Sequence, residues 1–199
     1  PDSPENAVWI DREREFSLEA GLKYLIVGGF GSAVLLFGSA LVYGATGELD
    51  FEDIAAANAT DDAFLFAGLA MILAGLAFKV SAAPFHMWAP DAYEGAPLPI
   101  TAFLSTLSKA AGFAMILRLF GTAIVVDAVE WRWAIMVLAA ATMTLGNLVA
   151  IQQKNLKRLV AYSSIGQVGY MLISIAAIGY GDGAGGVNAT SGLLIHIIG

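Results

Sequence analysis

Long runs of apolar residues are the feature that most constrains what this chain can fold into. Six runs can be drawn, near 21–45, 63–90, 98–126, 132–152, 158–179 and 190–199. A run of about 18 or more apolar residues is long enough to cross a bilayer as an α-helix. Charged residues make up 14% of the chain, whereas soluble domains carry about 25%. The sequence therefore predicts an all-α, polytopic transmembrane helix bundle.

The sequence carries no pattern typical of a soluble enzyme. It has no cysteine, which excludes disulfides and thiolate metal sites. It also has no glycine-rich phosphate loop, no set of nucleophile, base and acid, and no carboxylate cluster for a metal. We predict no metal site, and a lipid bilayer rather than a nucleic acid as partner. The chain starts in a polar stretch at Pro1 and stops within an apolar run at Gly199. We therefore expect residues 1–199 to be a single, partial transmembrane domain of a longer protein.

Basic residues are distributed unevenly between the loops. The loops "GELDFEDIAAANATDD" (47–62) and "GYGDGAGGVNATSG" (179–192) contain no Lys or Arg. Because Lys and Arg accumulate on the cytoplasmic side, we predict a cell-membrane protein whose N-terminal segment and 90–97 and 152–158 loops are cytoplasmic. Six of the ten basic residues fall on that predicted side: Arg12, Arg14, Lys23, Lys154, Lys157 and Arg158.

Two sequons lie in the predicted outer loops. Asn58-Ala-Thr60 and Asn188-Ala-Thr190 both match the N-glycosylation pattern. Such tripeptides are common by chance, so the alternative interpretation is a pair of ordinary polar loop residues.

Two lysines fall near the middle of apolar runs. Lys79 lies about sixteen residues into the second run and Lys109 about twelve into the third. A lysine at the centre of a span costs about 2.5–3.5 kcal/mol on insertion scales. The alternative is that the long stem carries the ammonium to the headgroups, but neither lysine is close to a span end. We interpret both as functional groups of a proton or ion pathway.

Other polar residues in the spans have simpler explanations. Arg118 is close enough to the outer end of its span to reach the headgroups. Glu19 and Lys23 are one helical turn apart and are expected to pair. The position of His196 does not assign it a role. Two polar stretches remain, which could bind water, stabilise a lysine or join helices: Ser105, Thr106 and Ser108 beside Lys109, and Tyr162, Ser163, Ser164 and Gln167 in the fifth span.

A proline and a histidine interrupt the second run. Pro84 lacks an amide hydrogen and clashes with the preceding turn, so we expect the helix to break near residues 79–84. Broken backbone at membrane depth persists only against protein or a water-filled cavity, and broken helices mark ion sites in transporters. His86 follows Lys79 by seven residues, about two turns if the helix resumes in register. Its imidazole could act as a proton relay or brace the break, and both interpretations stay open.

Three segments of the sequence resemble a known family. They are "SLEAGLKYLIVGGFGSAVLLFG" (17–38), "FKVSAAPFHMWAPDAYEGAPLPITAFLSTLSKAAGFAMILRLF" (78–120) and "NLKRLVAYSSIGQVGYML" (155–172). In this order they resemble the antiporter-like membrane subunits of respiratory complex I. Within that superfamily they look most like subunit N of the NADH-quinone oxidoreductases, and the resemblance extends over nearly the whole chain.

The resemblance implies a partial antiporter-like fold of inverted repeats, with one broken helix in this part. Lys79 then lies on the broken helix, and Lys109 on the next, as members of a buried charged chain that carries protons. Quinone and NADH, or another donor, would react at other subunits, with no cofactor bound here. The partners would be other membrane subunits, especially neighbouring antiporter-like ones. The charged partners in the family's fifth and twelfth helices would lie before residue 1 and after residue 199.

Three other interpretations stay open at this stage. A subunit of a multisubunit Na⁺/H⁺ antiporter or of an energy-converting membrane hydrogenase would share the lysines and the broken helix. His196 stands where subunit N often has another residue, which leaves the paralogue open. A structural scaffold without an ion path is the third interpretation, and the cost of burying the lysines argues against it.

Overall fold

The computed structural model describes residues 4–57, 62–123, 128–178 and 184–198, and these ranges are helical with short connections and no strand. A π-helical turn over Leu119–Ala123 extends the sixth helix. The helices are α1 (Pro4–Thr46), α2 (Phe51–Ala56), α3 (Ala63–Val80), α4 (Trp88–Gly95), α5 (Leu98–Ser105), α6 (Leu107–Arg118), α7 (Ala128–Ile151), α8 (Leu156–Ala176) and α9 (Ala184–Ile198).

Five helical segments are long and apolar enough to cross a bilayer. They are Glu15–Thr46, Ala63–Val80, Leu98–Thr122, Trp131–Ile151 and Leu156–Ala176. The predicted all-α, polytopic class is therefore confirmed. Helix α1 starts at Pro4, so the polar segment before the first apolar run is itself helical, which hydropathy alone did not predict. The sequon at Asn58 lies outside the described residues, and Asn188 lies within α9.

The second apolar run is a broken helix, as its proline predicts. Helix α3 ends at Val80, and Ser81 takes the left-handed conformation (φ 63°, ψ 39°). Helix α4 begins only at Trp88. Pro84 lies four residues after Val80 and has no amide hydrogen to donate to its carbonyl. The break therefore spans residues 81–87, slightly later than the expected 79–84.

The buried part of the break is sealed by protein. Val80, Ser81, Ala82 and Ala83 are all at most 1% exposed. The amides of Ser81 and Ala82 donate to carbonyls of the last α3 turn. The amide of Ala83 instead donates to Thr142 Oγ1 on α7, at 3.0 Å. Broken backbone at membrane depth persists against protein or a water-filled cavity, and residues 80–83 are enclosed by protein.

Glycine pairs bring two sets of helices into backbone contact. A Cβ on Gly38 of α1 would lie 2.7 Å from the carbonyl oxygen of Gly68 on α3, and one on Gly146 of α7 would lie 2.8 Å from Cα of Gly166 on α8. Small residues allow this approach, which dispersion forces favour in lipid.

An aromatic cluster packs beside the break. Trp88 at the start of α4 lies against Phe78 and Tyr24, with ring centroids 5.5 Å and 5.2 Å away. Its indole Nε1 donates to the Phe78 carbonyl at 3.1 Å, which satisfies an acceptor at the end of α3. Tyr93, one and a half turns further along α4, is fully buried in the same cluster. The start of helix α4 is thereby fixed against α1 and the end of α3.

Candidate functional site

Lys109 is a buried lysine held by a serine of another helix. Its residue is 3% exposed. Its Nζ donates to Ser164 Oγ at 2.5 Å and to the Ser164 carbonyl oxygen at 3.2 Å. Within the part of the chain that the structure describes, no carboxylate pairs with it. A buried ammonium is costly without hydrogen-bond acceptors, and Ser164 supplies two. The polar stretch of the fifth span thus contains the partner of this lysine.

The hydroxyls beside Lys109 shape its helix. Ser105 Oγ and Thr106 Oγ1 both donate to the Ala102 carbonyl, at 2.9 Å and 2.8 Å. Such back-bonding competes with the helical ladder and bends helices. Thr106 has φ −111° and ψ −74° and separates α5 from α6. These two hydroxyls thus bond within their own helix, at the distortion that precedes Lys109, which was not among the roles expected from the sequence.

An open cavity with a partly polar lining adjoins Lys109. It has a volume of about 680 Å³, and apolar side chains of α6, α8 and α9 form the rest of its wall. Its polar residues come from three parts of the fold: Ser105, Thr106 and Lys109, then Ser163, Ser164 and Gln167 of α8, and His196 of α9. His196 Nε2 lies 2.9 Å from Gln167 Oε1. A water molecule occupies about 30 Å³ of liquid, so a hydrogen-bonded chain of water fits between Lys109 and His196. Sequence reasoning assigned no role to His196.

Lys79 lies at the packed contact between α3 and α6. It is half-buried in the last turn of α3. A Cβ on Gly112, one turn beyond Lys109 on α6, would be 3.9 Å from Lys79 Cβ. Lys79 does not line the cavity beside Lys109, and it forms no hydrogen bond or ion pair with any described residue. The two lysines are on packed helices about one turn apart, with no direct hydrogen bond.

His86 and Pro84 lie in the segment between α3 and α4. Pro84 is exposed, and His86 is half-buried with Nδ1 enclosed. The imidazole lies edge-on to Tyr162 of α8, with centroids 6.5 Å apart. Because no α-helix runs between Val80 and Trp88, the two-turn register that would align His86 with Lys79 does not apply. The roles of His86 and Lys79 stay predictions.

Tyr93 is a site residue that sequence reasoning missed. Lys109 Nζ lies 5.9 Å from the centroid of its ring, within range of a cation–π interaction. The hydroxyl faces Ser164, although no described residue meets the geometry of a hydrogen bond to it. Burial raises the pKa of Tyr93 to about 12, so the phenol stays neutral. Only its place in the family-like segment "APDAYEGAP" marked it.

A cluster of charges joins α1, α4 and α8 at one end of the bundle. Lys23 pairs with Glu19 at 2.8 Å, as predicted, and with Asp91 at 3.1 Å. Arg158 contacts Asp91 and Glu94, both at 2.9 Å. Burial raises the pKa of Asp91, but hydrogen bonds from Lys23 and Arg158 outweigh it and hold that pKa below its usual 3.8. Segments predicted to share one side of the membrane therefore lie together, while the identity of that side stays a prediction.

Comparison with known proteins identifies relatives of this chain. It is 51% identical over 163 residues to NADH-quinone oxidoreductase subunit N of Desulforamulus reducens, covering 81% of this chain and 34% of that protein. It is 46% identical over 192 residues to the subunit N of Gemmatimonas aurantiaca, covering 95% and 36%. The chain thus spans about a third of the length of the curated relatives it matches.

Solved structures share the fold. A chain of the Mrp complex from Dietzia sp. DQ12-45-1b gives a TM-score of 0.76 at 28% identity, covering 90% of this chain and 34% of that one. A chain of the membrane-bound sulfane sulfur reductase, an archaeal respiratory complex, gives 0.77 at 37% identity, covering 91% and 37%. A chain of respiratory complex I from Thermus thermophilus gives 0.67 at 37% identity, covering 91% and 39%. Residues 8–198 match the family described as NADH:quinone oxidoreductase/Mrp antiporter, transmembrane. The chain belongs to this family and is a multi-pass membrane protein.

Proposed function

We propose that this chain is part of a proton-translocating membrane subunit of a complex I-type NADH:quinone oxidoreductase. The observation that carries the proposal is Lys109, which is buried, held by two oxygens of Ser164 and open to a partly polar cavity. A group of this kind can hold a proton, release it to water in the cavity and accept another. The relatives named subunit N support this assignment over other membrane transporters.

Lys79 is the second proton carrier in this proposal. Its place beside α6, one turn from Lys109, allows water to connect the two without direct contact. A unit charge about 8 Å away at an effective dielectric near 20 is worth about 2 kcal/mol. That energy changes the ratio of the protonated to the deprotonated form of a site about thirtyfold. A change in the protonation of one lysine is therefore enough to change the protonation of the other.

Energy for translocation comes, in this proposal, from electron transfer elsewhere in the complex. NADH, or another donor, and quinone react at other subunits, and this chain binds neither. The charged partners that the resemblance implies lie in other parts of the longer protein. The partners of that protein are other membrane subunits, especially antiporter-like neighbours, in a cell membrane. The N-terminal segment and the 90–97 and 152–158 loops face the cytoplasm.

The apolar outer face of α1 suits such surroundings. Three of its large apolar side chains are 68–71% exposed: Leu25, Ile26 and Phe30. Exposed apolar surface of this kind is suited to contact with lipid or with another membrane helix. Packing of α1 against α3 leaves this face free in the described part of the chain. The proposal therefore places it against lipid or a neighbouring subunit.

The test removes each lysine in the full-length subunit within its complex. Lys109→Ala and Lys79→Ala are expected to lower proton pumping and coupled turnover while the complex still assembles. Arg118→Ala is the matched control, because Arg118 is an exposed cation of the same helix, nine residues beyond Lys109. Normal pumping in both lysine variants would contradict the proposal.

A multisubunit Na⁺/H⁺ antiporter is the second candidate. It is supported by the similarity to the Mrp complex chain, whose TM-score of 0.76 exceeds the 0.67 of the complex I chain. The lower identity, 28% against 37%, favours complex I. Transport assays in inverted vesicles separate the two, because an antiporter responds to a Na⁺ gradient without an electron donor. A chain of the membrane-bound sulfane sulfur reductase also shares the fold, so the same assays apply to a third type of membrane complex.

A further inference from the structure

Tyr93 presents a buried hydroxyl to the contact between Lys109 and Ser164. The residue is fully buried, and its Oη has no hydrogen-bond partner within the described ranges. An unpaired buried hydroxyl destabilises a fold, so it calls for an explanation. Ser164, the partner of Lys109, is the polar side chain it faces.

The hydroxyl of Ser164 can reverse its direction when Lys109 changes protonation, because only the neutral amine offers it a lone pair. An ammonium only donates, so the bond between Nζ and Oγ then uses Oγ as acceptor, and the serine proton points elsewhere. A neutral amine has a lone pair, so the same short contact lets Ser164 donate to Nζ, which leaves Oγ free to accept. A second partner of Ser164 that both accepts and donates therefore suits both arrangements: it accepts from the serine in the first and donates to it in the second.

We propose that Tyr93 is this second partner, so that Tyr93 and Ser164 form a reversible hydroxyl pair that stabilises both protonation states of Lys109. With the ammonium, Lys109 donates to Ser164 Oγ, and Ser164 donates to Tyr93 Oη. With the amine, Tyr93 donates to Ser164 Oγ, and Ser164 donates to Lys109 Nζ. Only O–H bonds rotate, and the proton that leaves Lys109 passes to the cavity rather than through Tyr93.

Two properties of Tyr93 suit it to this task. A neutral phenol both donates and accepts, and burial, which raises the pKa of Tyr93 to about 12, keeps it neutral. The ring face also lies within cation–π range of the ammonium. Tyr93 is thus a positioning residue that acts on Lys109 through Ser164. Its place on α4 also connects the state of Lys109 to the helix that follows the break.

This inference rests on the proposed function, and a double-mutant cycle tests it. Proton pumping per assembled complex is measured for Tyr93→Phe, which keeps the ring, for Ser164→Ala, and for the double variant. Each single change is expected to lower pumping roughly tenfold, below the effect typical of direct proton transfer. The double variant is expected to pump as slowly as the slower single variant, within about twofold, because both changes disrupt one unit.

Two further variants separate the hydroxyl from packing. Ser164→Thr keeps the hydroxyl and should restore pumping to within about twofold of the wild type. Tyr24→Phe removes a hydroxyl from the same aromatic cluster without contact to Lys109 and should leave pumping unchanged. Rates are expressed per assembled complex. If Tyr93→Phe assembles poorly, the comparison of Ser164→Ala with Ser164→Thr still tests the inference.

Other results overturn the inference. The inference is overturned if the single variants pump at the wild-type rate. It is also overturned if their effects multiply in the double variant, or if Ser164→Thr pumps as slowly as Ser164→Ala. Lys109→Ala, measured in parallel, distinguishes the two proposals. If Lys109→Ala pumps normally, the proposed function fails; if only the hydroxyl variants do, the hydroxyl pair alone fails.

Discussion

Thr142 Oγ1 lies 3.0 Å from the amide nitrogen of Ala83, so that a side chain of α7 supplies the hydrogen bond that the broken helix lacks. Thr142 is fully buried and also donates to the Leu138 carbonyl of its own helix at 2.6 Å. One hydroxyl therefore satisfies an orphaned backbone amide and anchors α7 to the break that follows Lys79. The break is held by specific contacts, and its stability depends on them.

Thr142→Val is expected to destabilise the protein. Valine has nearly the same shape but cannot accept the Ala83 hydrogen bond, and an unsatisfied buried amide costs about 1–3 kcal/mol. Thr142→Ser keeps the hydroxyl and is the matched control. Unfolding of the purified complex in detergent, followed by denaturant or heat, measures the difference. Equal stability of the valine and serine variants would show that this bond does not hold the break.

Gly68→Ala is expected to separate α1 from α3. The added Cβ would lie 2.8 Å from the Gly38 carbonyl oxygen and 2.9 Å from the Val42 amide nitrogen, and backbone atoms cannot move aside as a flexible side chain can. Overpacking of this kind costs about 1–3 kcal/mol. At Gly28 an added Cβ meets nothing within 4 Å, so Gly28→Ala should be neutral or stabilising by about 0.5–1 kcal/mol. Thermal unfolding in detergent compares the two, and a similar effect of both would argue against this packing.

Asp91 is expected to make stability depend on pH in the acid range. Its pKa is lowered in the folded protein, so its contribution is fully present above the unfolded value near 3.8 and is lost as pH falls through the lower folded value. Wild-type protein should therefore lose stability below about pH 4 more steeply than Asp91→Asn. Asp91→Asn should in turn be less stable at neutral pH, because Lys23 and Arg158 lose a partner. Parallel pH profiles of the two would contradict this role.

Lys109→Arg is expected to abolish proton pumping although it keeps the positive charge. Arginine does not release its proton in proteins, so a carrier that must lose and regain one cannot function with it. If Lys109 served only as a fixed charge, arginine would preserve activity. Pumping driven by the electron donor, in vesicles that contain the assembled complex, measures the effect. Arg118→Lys, on the exposed face of the same helix, should pump normally.

The sequence made several of these features predictable because they depend on local pattern. Hydropathy over runs of residues predicts the spans, since a helix that crosses lipid must be apolar along its whole length. Pro84 predicts the break because the missing amide hydrogen is a property of the residue itself. The spacing of Glu19 and Lys23 predicts their ion pair because one helical turn brings them together.

The site was predictable only in part. Lys109 and Lys79 stand out in the sequence because a charge in an apolar run is costly. Their surroundings do not follow from it. Ser164 is 55 residues from Lys109 in sequence, and the neighbouring Ser163 fits the same polar pattern. The sequence alone does not select which of the two faces the lysine, since that depends on the rotation of α8 about its axis.

The amino-acid sequence by itself determined a helical membrane bundle, one broken helix and two lysines within apolar runs, because each follows from the chemistry of residues close together in the chain. Only the tertiary structure decided which groups meet them. These contacts depend on how the helices are packed and rotated against one another. They are Ser164 and Tyr93 with Lys109, Thr142 with the break, and Arg158 with Asp91. Close approach at the Gly146–Gly166 contact brings α7 and α8 together, and pairings over 55 to 67 residues leave no periodic trace in the sequence.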